Sequence, residues 1–138
     1  MPPPEELAPF VPNYQPQGTR DPAAFLSVPA AIQFQAEHDW DAQRRRCHAL
    51  ASQTRSRINA LTGLPPLSPD STEFFGQMVS IRIPESRIDA IRHEFVVRNI
   101  MGVALRAHNQ ALVRVSYQAY NSQDDADLLV EAVAQGIA

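Results

Sequence analysis

Between Met78 and Ile83 apolar and polar residues alternate, with Val79, Ile81 and Ile83 on one side of the chain and Ser80 and Arg82 on the other. A period of two predicts a strand with one buried face and one open face. The same alternation runs through Val113, Arg114, Val115, Ser116 and Tyr117, which turns a single arginine toward the open side of a second strand. A shorter apolar run, Gly102 to Ala107, predicts a third strand, joined to the second by a turn at Asn109 and Gln110. From Trp40 to Thr62 the period changes to three and four residues, with Cys47, Leu50, Ala51, Thr54, Ile58 and Leu61 forming one stripe of a long helix. Two more helices follow the same rule, one carrying Ile88, Ile91 and Phe95, the other Ala126, Leu129, Val130 and Val133.

Local chemistry marks where these elements start and stop. Asp39 caps the long helix, Gly63 ends it as a left-handed cap, and Pro65 and Pro66 forbid its continuation. Pro84 stops the first strand, and Ser86 with Asp89 caps the helix behind it. Ser122 and Asp125 form a capping box for the last helix, Gln123 to Gln135, which Gly136 ends. Asp21 followed by Pro22 starts a helical stretch that Val28 and Pro29 divide into two short pieces. Six of the first 17 residues are proline, so Met1 to Gln17 reads as an extended or poorly ordered lead-in, or as a connector against another domain. Residues 18–138 form the folded domain. The order helices, strand, helix, strand, strand, helix, with a hairpin between the last two strands, predicts an α/β (α+β) fold. Its sheet is small, open and largely antiparallel, and helices cover one face.

The 138 residues suit one domain, and a hydrophobic content of 44% allows a real core. A net charge of −3 gives no electrostatic case for nucleic acid. Arg44, Arg45 and Arg46 do not change that, because three consecutive helical residues spread around the axis. Cys47 is the sole cysteine and lies on the buried stripe, where it reads as core. The single cysteine suits a reducing compartment, no apolar run reaches membrane-spanning length, and the expected location is cytoplasmic. His93 and Glu94 open an HExxH pattern, but Val97 occupies its second ligand position, so metal is not expected. There is neither a G-x-S-x-G elbow nor a glycine-rich phosphate loop. All 12 basic residues are arginine, and the chain has no lysine.

The stretch Leu112 to Asp127, LVRVSYQAYNSQDDAD, places an arginine, a serine, a Tyr-Asn turn and an acidic capped helix in succession. Upstream stands Gly18-Thr19-Arg20-Asp21, GTRD. Together these resemble the C-terminal small domain of class V aminotransferase-fold enzymes that use pyridoxal phosphate (PLP), in the isopenicillin N epimerase-like branch related to the cysteine desulfurases. The resemblance runs from Gly18 onward and implies the small-domain fold of fold-type I PLP enzymes. It implies that Arg114 grips the α-carboxylate of an amino-acid-type substrate, a role for which a planar guanidinium suits two parallel hydrogen bonds. It also implies that Thr19, with Gly18 and Arg20 beside it, lies near the PLP phosphate of the neighbouring subunit in a homodimer. Arg20 has three readings: a pair with Asp21, a lining of the cofactor region, or a subunit contact. Ser116 and Asn121 are expected to hold the strand end and turn in shape.

The family's cofactor forms a Schiff base on lysine, so this chain alone is expected to bind no PLP and to catalyse nothing, with the large cofactor-binding domain absent. Its bare sheet face is expected to drive self-association or to leave the chain marginally stable. Two departures from the family pattern stand out. Ser122 replaces a frequent threonine, and His108 lies where an aromatic residue and glycine are common. The alternative reading is an independent α/β module that binds a small carboxylate ligand or mediates oligomerisation.

Overall fold

The computed structural model describes residues 21–138, which fall into two units, one ending at His38 and the other running Asp39–Ala138. In the first, α1 (Ala23–Leu26) and α2 (Val28–Glu37) are the two short helices that Val28 and Pro29 predict. The Asp21 carboxylate accepts from Ala23 N at 2.9 Å, but α1 starts one residue later than expected, with Pro22 at the N-cap position instead of Asp21. Gly18, Thr19 and Arg20 lie outside the described residues, as does the proline-rich lead-in.

The second unit begins with α3 (Trp40–Thr62). Asp39, itself left-handed at φ 42°, accepts from Ala42 N, and Gly63 closes the helix at φ 67° with its N–H on Asn59 O. The loop that follows is tied down by charge. Arg55 is 6% exposed, donates to Ser68 O and Pro69 O, and lies over the Phe75 ring at 5.2 Å. Three strands follow, β1 (Met78–Ile83), β2 (Val103–Ala107) and β3 (Gln110–Ser116), in the spatial order β1-β3-β2 and antiparallel throughout. Helices α4 (Ile88–Val97) and α5 (Gln123–Ile137) pack on each other, α3 packs on β1 and α5, and α4 packs on β2. The core forms between helices and sheet, where Val79, Ile81, Ile83, Val113 and Val115 meet Ile58, Ile91 and Val133. The expected open, antiparallel sheet with helices on one face is the observed one.

Three local expectations are corrected. Ser86 does not cap α4: after Pro84 the chain makes a 3-10 turn, Glu85–Arg87, and the helix begins at Ile88 without a side-chain cap. Asp89, the would-be partner in that box, pairs instead with Arg92 at 3.0 Å. The tighter turn delivers Ile88 into the core, where it is 1% exposed, and that burial outweighs a solvent-exposed cap. Gly136 does not end α5 but lies buried within it, where lack of a side chain serves close packing. The hairpin turn is His108-Asn109, both with positive φ, and Gln110 already pairs with Ala107. A two-residue loop of this hand matches the twist of the strands it joins.

Candidate functional site on the open sheet face

Arg114 occupies the middle of β3, the central strand, with Ser80 of β1 opposite it on one side and Val103 of β2 on the other. Its neighbours Val113 and Val115 are buried under the helices while Arg114 is exposed, so its guanidinium belongs to the uncovered face. Arginine is familiar on edge strands, where charge discourages further pairing, but a central strand has no open edge to protect. Among the described arginines, Arg114 and Arg45 have no hydrogen bond or ion pair to another described residue; the others are engaged.

The end of β3 is held more firmly than its sequence suggests. Tyr117 is 4% exposed, its N–H donates to Gln77 O, and its hydroxyl lies 2.6 Å from Thr54 Oγ1 on α3. Burial raises the Tyr117 phenol above its usual range, with the Thr54 hydrogen bond opposing in part. Beyond it, Asn121 Oδ1 accepts from Gln118 N at 2.9 Å, and Asn121 N donates to Gln118 O. Asn121 therefore shapes the turn as expected, whereas Ser116 has no side-chain hydrogen bond to a described residue and stands exposed opposite Met78. The Ser122–Asp125 box closes in both directions, at 2.9 Å and 3.3 Å. The Ser122 backbone N–H and the Asn121 amide hold the Asp125 carboxyl below the usual carboxylate range.

Arg46 escaped sequence reasoning. It donates to Ala119 O at 2.6 Å and to Asn121 O at 2.8 Å, clasping from α3 the turn that carries Tyr120, which is 84% exposed. Nothing in Arg44-Arg45-Arg46 marks the third arginine, because its partners lie more than 70 residues away. Arg82 was legible as a polar-face residue of β1 but not as a neighbour of Arg114. The register places it opposite Leu112, one step along the same face, with Nε on Gln110 Oε1 at 2.9 Å.

Two clefts of about 470 and 410 Å³ flank the hairpin end of the sheet, near Glu85 and Gln110, and Arg82 lines the second. Arg114 lines neither. Among the described residues no group of histidine, cysteine and carboxylate side chains is arranged for a metal, and no helix is long and apolar enough to cross a membrane. Cys47 is 2% exposed in the core, as its place on the α3 stripe predicts.

No protein-family model matches the chain. It is 34% identical over 125 residues to isopenicillin N epimerase of Amycolatopsis lactamdurans, a match that covers 89% of this chain and 31% of the relative. It is 31% identical over 119 residues to isopenicillin N epimerase of Streptomyces clavuligerus, covering 85% of this chain and 30% of that protein. Over most of its length the chain is similar to these two proteins, which is consistent with an isopenicillin N epimerase-like branch. This epimerase-like chain spans about a third of the length of the curated relatives it matches. The family resemblance drawn from Arg114, the Tyr120-Asn121 turn and the capped helix agrees with both relatives.

Proposed function

We propose that residues 18–138 are the C-terminal small domain of a PLP-dependent enzyme acting on an amino-acid-type substrate, and that Arg114 binds the substrate's α-carboxylate. The observation that carries this reading is a guanidinium with no partner among the described residues, at the centre of the sheet face opposite the helices, on a strand whose far end is fixed by Tyr117, Asn121 and Arg46. A group that must meet a carboxylate in one orientation gains from such a rigid mount, since little order is left to impose on binding.

The residues at hand do not fit the cofactor tether. The sequence contains no lysine, so the amine for PLP must come from outside these residues, and no step of PLP chemistry is assigned to them. Their contribution is substrate binding and orientation. The partners of this reading are a lysine-bearing large domain, with Thr19 near a PLP phosphate, and a second copy in a homodimer.

The test is to combine the purified chain with PLP, candidate amino acids and a lysine-bearing large domain. Cofactor absorbance and turnover in the mixture alone support the reading. Within that mixture Arg114→Lys is expected to raise KM roughly tenfold to a hundredfold through loss of one charge-assisted hydrogen bond. Turnover indifferent to position 114 would sink the assignment.

A further inference from the structure

The two outer edges of the sheet are treated differently. Tyr117 N–H donates to Gln77 O, the pair next in register beyond Met78 and Ser116, so the bonded pairs of the β1–β3 ladder fall at every second position from there. Val79, Ile81 and Ile83 therefore turn their backbone groups toward β3, while Met78, Ser80 and Arg82 turn theirs outward. By the same alternation Val103, Leu105 and Ala107 bond to β3, and Ala104 and Arg106 face outward from β2. The β2 edge is partly closed, because Arg92 of α4 donates from Nε to Ala104 O at 2.9 Å. The β1 edge has no such cover: the outward N–H and C=O groups of Met78, Ser80 and Arg82 have no hydrogen-bond partner among the described residues. Its ends are blocked. Gly76 O, before the strand, is taken by His48 Nδ1 at 2.9 Å, and Pro84, after it, has no N–H to give. Met78, Ser80 and Arg82 are thus an open template for another strand, symmetric about Ser80.

We propose that β1 is a self-association edge, on which two copies of the chain pair antiparallel about a two-fold axis at Ser80 and join their sheets into one. The occupant is a second copy because the edge is complementary to itself. About that axis Ser80 faces the partner's Ser80 and Met78 faces the partner's Arg82, so each outward donor meets an acceptor and no charge opposes a like charge. Other registers lose this match. An axis at Arg82 sets two guanidiniums opposite each other and puts Pro84 against Ser80, and an axis at Met78 puts Gly76, whose C=O is taken, against Ser80. The proline-rich lead-in is a poor substitute, since proline removes the ladder donor. The axis of such a pair stands across the sheet, so both faces that lack helices lie on the same side, with the two Arg114 backbones about 14–15 Å apart.

The experiment is sedimentation equilibrium of the 138-residue chain up to about 1 mM, with amide exchange followed over the same concentrations. A monomer–dimer equilibrium is expected, in which exchange at Met78, Ser80 and Arg82 slows as dimer forms and exchange at Arg106 does not change. Met78 is 52% exposed, so its side chain can be replaced without disturbing the core. Met78→Glu sets a carboxylate opposite the partner's Arg82 at both symmetric places and should tighten the dimer roughly twofold to thirtyfold, and Met78→Lys should weaken it by a similar factor. These signs are opposite to those expected from the net charge of −3 alone, which Glu makes more repulsive and Lys less. Ser80→Pro, which removes an outward N–H and no bond to β3, should abolish the dimer, whereas Ser80→Thr should keep it. A chain that stays monomeric overturns the proposal, as does a dimer that follows net charge at position 78. Slow exchange at the three amides without association would mean that another part of the chain covers the edge, which also overturns it.

Discussion

Gly136 of α5 lies so close to Ile91 of α4 that a β-carbon built on the glycine would stand 2.6 Å from Ile91 Cγ1 and 2.8 Å from Ile91 Cα. The second of these is a backbone atom and cannot turn aside. Gly136→Ala therefore forces the two helices apart, a cost of roughly 1–3 kcal/mol for overpacking that exceeds the ~1 kcal/mol alanine gains in helix propensity. Urea denaturation should show a lower midpoint. A stabilised variant would mean the helices slide freely.

Tyr117 should make stability fall in alkali. Its phenol is raised in the folded state, first by burial, so the neutral form is favoured by folding. That contribution is fully present below the unfolded tyrosine pKa of about 10 and is lost as pH rises through the higher folded value. Tyr117→Phe should flatten this alkaline limb in denaturation curves collected from pH 8 upward, at the expense of the Thr54 hydrogen bond near neutrality.

Asp125 acts at the other end of the scale. Its carboxyl is lowered chiefly by the Ser122 N–H and then by the Asn121 amide, so the charged form is favoured by folding. The stabilisation is present above the unfolded aspartate pKa of about 3.9 and fades as pH falls through the folded value. Asp125→Asn should reduce the steepness of acid unfolding followed by circular dichroism between about pH 5 and about pH 2. An unchanged acid limb would remove the capping box from the account.

Arg46→Ala should loosen the turn at Tyr120 before it affects the core. The variant deprives Ala119 O and Asn121 O of their donors, whereas the Asn121–Gln118 pair remains. Faster amide exchange confined to residues 118–122, corresponding to a local loss of about 1–3 kcal/mol, is the expected pattern. Uniform acceleration across the sheet would contradict the local role.

At the hairpin, Asn109 holds φ 58°, in the left-handed region where glycine is unstrained. Asn109→Gly is expected to stabilise the chain slightly, by roughly 0.5 kcal/mol, since glycine is the favoured second residue of such a two-residue turn. A lower thermal midpoint would show that the asparagine side chain contributes more than its backbone costs.

The alternation of Met78–Ile83 and Val113–Tyr117, the stripe from Cys47 to Ile58 and the caps at Asp39, Gly63 and Ser122 were legible because each depends on residues within a turn or two of one another. Periodicity and capping are local, so they determined the elements, the open face and the side of β3 from which Arg114 projects. Strand order was not local. Only the folded sheet put β3 between β1 and β2, which placed Arg114 at the centre of a face, with Arg82 a diagonal step away in the register. The same holds for Arg46 on the Tyr120 turn and for Gly136, whose role depends on Ile91 of another helix and not on its place near the end of α5. Ser86 shows the limit in the opposite direction: its capping pattern was sound in isolation, and burial of Ile88 overrode it.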